Sequence, residues 1–374
     1  MKLKKYIYGV ALGAISLACV SCYNADRDFP DYEEGTTAYF AYQFPVRTLI
    51  LGNDIYDNSL DNAHKCQIWA TMGGAYGGRN AVADFIVDES LCNNLWFLNE
   101  FGQASKRVTP MPRDYYDILG ENIPYNGDSR GYVEIQFKDK FFDDPDAVEN
   151  TYVIPLRMTQ VSGIDHILTG TPLAGTPSRT DIDAWKVLAK DYVLYCVKYM
   201  NPWQARYIRR GIDKVTDNGT ELDPDVRKDV SLVNTDLEHY TENPVNANDE
   251  IISIKTKGMK KCIFEPSFKT TGASVSCKLI LTFDNNKCTI STEDEGVTAE
   301  GEGEFIAKGT DREEYKDYRW GSMNQQPVSR DILRLSYKVN FTDKNIQVET
   351  KDTMVVQTRE SNKREFFDHK YINE

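Results

Sequence analysis

The sequence is short of the groups that most enzymes use. It holds four histidines in 374 residues, His64, His166, His239 and His369, too dispersed to form a metal-ligand set on spacing alone. It has no His-Glu-x-x-His zinc helix and no Gly-Lys-Ser/Thr phosphate loop. The piece Gly73-Gly74-Ala75-Tyr76-Gly77-Gly78 is glycine-rich but lacks the lysine, and reads as a turn between strands. Excess basic charge is also missing. With 44 Lys and Arg against 57 Asp and Glu, the formal net charge is −13, which argues against nucleic acid and against an anionic membrane surface as partners. The apolar run at residues 6–20 falls short of the roughly 20 residues that cross a bilayer.

That run follows Lys2, Lys4 and Lys5 and leads through small residues to Ser21-Cys22. The pattern is a secretory signal, residues 1–22, ending at a lipid-attachment cysteine. Cys22 is favoured over Cys19 as the lipidated residue because the polar chain starts immediately after it. Residues 23–37 carry Asp26, Asp28, Asp31, Glu33 and Glu34 around Pro30 and read as an acidic tether. Six other cysteines, Cys66, Cys92, Cys196, Cys262, Cys277 and Cys288, are irregularly spaced and include no C-x-x-C pair. Buried free thiols are expected rather than bridges or zinc.

A mature chain of this length exceeds what one core comfortably fills, so two domains are expected. Residues 38–168 read as strands: Ala81, Ala83, Phe85 and Val87 alternate with Val82, Asp84 and Ile86, and Val133, Ile135 and Phe137 alternate with Glu134 and Gln136. Tyr152, Ile154, Leu156 and Met158 form a third such face, with Pro155 on the opposite face predicting an edge strand. Asn126-Gly127 supplies a turn between strands. The expectation is an Ig-like β-sandwich. Residues 169–190, with two glycines and two prolines at 170–178, read as a linker. Beyond it, residues 191–374 contain further alternating strands. Val275, Cys277, Leu279, Leu281 and Phe283 share one face, as do Leu333, Leu335, Tyr337, Val339 and Phe341. An antiparallel meander of this length closes on itself or packs as two sheets to hide its edges.

Two resemblances accompany these readings. Val87-Asp88-Glu89-Ser90-Leu91, Tyr115-Tyr116-Asp117-Ile118-Leu119, the strand from Gly131 to Phe137, and Thr151-Tyr152-Val153-Ile154-Pro155-Leu156-Arg157 resemble a Bacteroidetes surface-lipoprotein domain of unknown function, found alone, in tandem or ahead of family 18 glycoside hydrolase barrels. The piece from Pro202-Trp203 to Arg209-Arg210-Gly211, followed by the meander, resembles a second Bacteroidetes domain of unknown function with a lipocalin-like barrel. The resemblances imply an Ig-like module joined to a lipocalin-like barrel, and a role in glycan-utilisation loci. They supply no catalytic residues. Nor does the chain hold the Asp-x-x-Asp-x-Asp-x-Glu strand end or the (β/α)₈ barrel of a family 18 hydrolase.

The expected role is therefore a non-enzymatic, cofactor-free lipoprotein of the outer membrane, facing outward, that binds glycan for a neighbouring transporter or hydrolase. Two alternatives stand beside it: a module docking on a protein of an outer-membrane complex, and a carrier of a small apolar ligand in the C-terminal barrel. Bulky inward residues such as Leu281 and Phe283 argue against the carrier. Sugar rings stack on aromatic faces, and Tyr315, Tyr318 and Trp320 lie in a polar stretch read as a long loop, so these three are the candidate ligand-binding residues. Trp69, Trp96 and Trp203 are assigned to the core. Asp143, Asp144 and Asp146 lack the EF-hand glycine and read as a solvated loop.

Overall fold

The computed structural model describes residues 31–227, 250–312, 320–321, 327–361 and 364–373. It is an all-β structure, 53% strand and 9% helix, with sandwich-like sheets at the N-terminus and a closed eight-stranded barrel after them. Cys19, Cys22 and the tether up to Pro30 lie outside the described residues.

In the sandwich, a five-stranded sheet runs His166–Ile167, Thr37–Tyr39, Lys65–Gly73, Arg130–Phe137, Tyr116–Leu119. It faces a sheet ordered Glu365–Phe366, Pro45–Ile50, Tyr192–Met200, Tyr152–Ser162, Val82–Val87, Asn122–Pro124. The predicted alternation holds. Val133, Ile135 and Phe137 are buried with Ile154, Leu156 and Met158 in the core between the sheets. Asn126 and Gly127 both take positive φ, 50° and 84°, which is why Asn-Gly suits this turn.

Pro155 does not mark an edge. Its strand is central, pairing on one side with Tyr192–Met200 and on the other with Val82–Val87. The second ladder begins only at Leu156↔Val87, and the Pro155 carbonyl beside its end accepts from the Asp88 N–H at 2.9 Å. The proline's missing donor therefore falls past the end of that ladder, where no partner carbonyl is left unpaired.

The proline- and glycine-rich stretch is an excursion within the sandwich. Thr171–Pro172 pairs with Trp185–Val187 as a small hairpin, and the chain then re-enters the sandwich. Tyr192–Met200, placed by the sequence reading in the second domain, pairs with Tyr152–Ser162 and runs parallel to Pro45–Ile50. The passage to the barrel comes at Asn201, fully buried. Its side chain donates to the Gly258 and Lys261 carbonyls at 3.0 Å and accepts from the Trp203 and Gln204 N–H groups. Arg359 donates to the carbonyls of Asn53, Asn201 and Gln204. After the barrel the chain returns: Glu365–Phe366 and His369–Tyr371 add to sandwich strands, and Phe367 is buried among Leu95, Phe97, Leu194 and Cys196.

The barrel strands are Ala205–Asp217, Glu250–Gly258, Lys261–Phe264, Leu279–Asp284, Lys287–Thr292, Val297–Ile306, Ile332–Phe341 and Ile346–Thr358, the last pairing with the first. Closure removes the sheet edges. Leu279, Leu281, Phe283, Leu333, Leu335, Tyr337, Val339 and Phe341 are all buried in its core. Packing there is close. A Cβ on Gly303 would lie 2.5 Å from Leu335 Cδ2 and 2.7 Å from Cys288 Sγ.

Candidate functional site

In the strand Lys65–Gly73, Cys66, Ile68, Ala70 and Met72 face the core. Because side chains alternate, Lys65, Gln67, Trp69 and Thr71 face outward. The neighbouring strand repeats the pattern, with Val133, Ile135 and Phe137 inward and Arg130, Tyr132, Glu134 and Gln136 outward. Register places Tyr132 opposite Trp69, Glu134 opposite Gln67, and Arg130 opposite Thr71.

The outcome is an aromatic pair on the outside of the sandwich. Trp69 is 44% exposed and Tyr132 41%, with ring centroids 4.6 Å apart and planes tilted by 43°. Tyr39, opposite Thr71 on the adjoining strand, lies over Gly73 and extends the aromatic surface across three strands. Leu119, 48% exposed, continues it on the far side, opposite Glu134. Packing alone does not account for the pair. A cross-strand aromatic contact contributes about 0.2–1 kcal/mol, less than the roughly 1.5–3 kcal/mol that burying one such side chain provides.

Polar groups flank the rings. The Arg130 guanidinium sits 5.4 Å from the centre of the Trp69 ring, and being exposed it can swing aside on the timescale of surface rotamers. Lys65 Nζ contacts Glu134 Oε1 at 2.6 Å, and Lys138 Nζ contacts Asp117 Oδ1 at 2.6 Å. Both signs of charge, an amide at Gln67 and a hydroxyl at Thr71 thus surround the tilted aromatic pair. Such a face can stack on a C–H-rich ring while donating to and accepting from its hydroxyls.

Trp69 was assigned to the core by residue type, and the structure places it on the outward face instead. The signal was present in the alternation of Cys66, Ile68, Ala70 and Met72. Trp203 is in the core, stacked on Phe283 with centroids 3.9 Å apart, and Trp96 is half-buried with Arg107 5.1 Å from its ring centre. Of the expected loop residues, Tyr315 and Tyr318 lie outside the described residues. Trp320 is described through its backbone, in a short strand Trp320–Gly321 paired with Pro327–Val328. Tyr39 and Tyr132 were not foreseen.

The other polar concentration is inside the barrel. Arg209, fully buried, donates from Nε to Asp352 at 3.0 Å and through its terminal nitrogens to Glu250 at 3.0 Å and Tyr337 Oη at 3.1 Å. Tyr337 Oη in turn donates to Asp352, and Thr350 donates to buried Asp213. Burial pulls the Arg209 guanidinium down, but Tyr337, Asp352, Glu250 and Asp213 outweigh it and hold it up, so it stays charged. Phe264 and Phe268 lie 5.5 and 5.8 Å from its guanidinium carbon. Among the described residues the Arg209 guanidinium is thus met by acceptors on each of its nitrogens.

The six cysteines among the described residues are free and buried, and burial pushes each thiol up to about 12. They remain protonated at neutral pH. Among the described residues no three His, Cys, Asp or Glu side chains are placed to hold a metal ion.

A family model described as a domain of unknown function, DUF5627, matches residues 202–360, and a second, described as an N-terminal domain, matches residues 32–165. A solved structure from Bacteroides ovatus, described as of unknown function, is 37% identical, with a TM-score of 0.78. That match covers 92% of this chain and 100% of the other. A further Bacteroides ovatus structure, described as a multidomain protein including DUF1735, covers 88% of this chain and 99% of its own at 9% identity. Its TM-score of 0.39 is too low to bear on the argument. No curated protein matches the chain.

Proposed function

This chain belongs to the same family as the Bacteroides ovatus protein of unknown function, and from that premise we propose that it is a non-catalytic glycan-binding lipoprotein. Anchored through Cys22 in the outer membrane and facing outward, it would hold polysaccharide for a transporter or hydrolase of the same system. The observation that carries the reading is the exposed Trp69–Tyr132 pair, bordered by Gln67, Glu134 and Arg130. The site is thereby moved from the loop of Tyr315, Tyr318 and Trp320 to the outer face of the sandwich.

What weighs against an apolar carrier is the barrel interior, where Phe264, Phe268, Leu281 and Phe283 are buried around the Arg209 network. Docking on a protein partner draws on a different surface. Leu173, Ile182, Val187 and Leu188 stand exposed around the hairpin at residues 171–187, an apolar cluster of the kind protein partners cover.

The test is retardation of residues 23–374 in native gels containing plant and host polysaccharides. Retardation by one class, abolished in Trp69→Ala and Tyr132→Ala, is the expected result. Retardation kept by both variants would remove the site from this face. No retardation by any polysaccharide would overturn the glycan reading in favour of the hairpin and a protein partner.

A further inference from the structure

We propose that a second subsite, a cleft at the open edge of the sandwich, takes a single neutral sugar ring. The proposal rests on the glycan reading above and adds the chemical class of ligand.

The cleft follows from the path of the chain. Tyr116–Leu119 is the edge strand of the five-stranded sheet, paired on one side only, with residues 134–137. After two intervening residues, Asn122–Pro124 pairs with Val82–Asp84 of the facing sheet. The chain therefore changes sheets at Gly120-Glu121, where Gly120 takes φ +155°, and the two layers are not sealed along this corner. The gap is a cleft of about 460 Å³ walled by Phe85, Val87 and Ile118, with Arg113, Asp117 and Glu121 supplying charge. That volume lies in the range of small-ligand pockets, roughly 300–1,000 Å³.

Its polar groups are arranged for hydroxyls. Arg113 donates to the hydroxyl of buried Tyr116 at 2.8 Å, and its guanidinium carbon lies 5.4 Å from that ring's centre. Among the described residues no carboxylate ion-pairs with Arg113, so most of its donors face solvent and the cleft. Glu121 is exposed and likewise without an ion pair among the described residues. Asp117, held by Lys138 at 2.6 Å, retains lone pairs for a second donor. A neutral ring can donate to both carboxylates, accept from the guanidinium and lay its C–H face on Phe85 and Ile118. Lys138 offsets Asp117, which leaves the Glu121 carboxylate as the group that repels a carboxylated or sulfated sugar.

The cleft also adjoins the aromatic face. Ile118 points into it while Leu119, the next residue, lies on the outer surface. The edge strand is two steps from the Trp69 strand across the sheet, about 10 Å at ordinary strand spacing. A glycan lying over Trp69 and Tyr132 can turn a branch or terminal ring over this edge.

Saturation-transfer NMR on residues 23–374 tests it, with methyl glycosides of glucose, galactose, mannose, xylose and N-acetylglucosamine, and with glucuronate and galacturonate as charged probes. At least one neutral glycoside should receive saturation from the wild type and equally from Trp69→Ala. Its binding should weaken about tenfold in Arg113→Ala, the loss expected for a charge-assisted hydrogen bond. The uronates should be silent on the wild type and gain signal in Glu121→Gln, a change on an exposed corner that disturbs no packing. Silence from every neutral glycoside on the wild type overturns the proposal. So does a signal lost in Trp69→Ala but kept in Arg113→Ala, or uronates bound as well as neutral rings. Retardation in polysaccharide gels reports the aromatic face separately, so either reading can fail while the other stands.

Discussion

Trp203 lies flat on Phe283 inside the barrel, ring centroids 3.9 Å apart and planes 6° from parallel, whereas Trp69 leans on Tyr132 outside the sandwich with 44% of its surface in water. The two domains also differ in how they bury charge. The barrel encloses both members of its ion pairs, Arg209 with Asp213 and Asp352, whereas the buried carboxylates of the sandwich, Asp61 and Asp191, pair with the half-exposed Arg47 and Arg179. In the barrel, aromatics fill space and charges neutralise each other, which leaves a closed interior. On the sandwich, the equivalent rings meet solvent among hydrogen-bonding groups, and that is the surface able to meet a ligand.

The contrast can be broken most forcefully at Arg209. Arg209→Met removes the partner of Asp352 and Glu250 and should cost about 3–5 kcal/mol, as for other buried pairs that lose one member. Urea unfolding should show the midpoint falling accordingly; an unchanged midpoint would mean the network does not hold the barrel interior together. Trp203→Ala should cost roughly 3–5 kcal/mol through the cavity left against Phe283, without altering retardation by polysaccharide. Trp69→Ala should do the reverse, costing less than about 1 kcal/mol and abolishing retardation. Equal destabilisation by the two tryptophan variants would erase the distinction between the domains.

The smallest effect concerns acid stability of the sandwich. Burial raises the Asp88 carboxyl, but donation from Ser90 and Arg157 and the Arg157 charge outweigh it, so its folded value lies below the usual 3.8. A carboxylate lowered on folding stabilises the fold fully above its unfolded value, and that stabilisation is lost as pH falls through the folded one. Asp88→Asn should therefore flatten the acid limb of the stability profile below about pH 4 and leave its neutral-to-alkaline limb unchanged in shape. An acid limb identical to the wild type would remove Asp88 from the acid response.

Much of this architecture was legible because alternation survives wherever one face is apolar. Leu279, Leu281 and Phe283, and Leu333 to Phe341 in steps of two, read as barrel walls and are. The pairing that closes the barrel, Ala205–Asp217 with Ile346–Thr358, was not readable, because inward positions at Arg209, Asp213, Thr350 and Asp352 interrupt the apolar period. Residues 170–178 read as a domain boundary because a hairpin excursion and a linker share proline, glycine and serine. The binding face was missed for a different reason. Trp69 was judged by what tryptophans usually do, although Ile68 and Ala70 on either side already claimed the core face.

The most direct measurement is intrinsic tryptophan emission during titration with an oligosaccharide from whichever polysaccharide retards the protein, comparing wild type with Trp69→Phe. Trp69 is exposed and Trp203 sealed in the barrel, so ring stacking on the outer face should shift the emission of the wild type. Phenylalanine keeps a stacking surface but no indole, so the variant should still be retarded in the gel while its emission stays constant through the titration. A wild-type emission that does not move at saturation, or a shift that persists in Trp69→Phe, would contradict the assignment of ligand binding to the sandwich face.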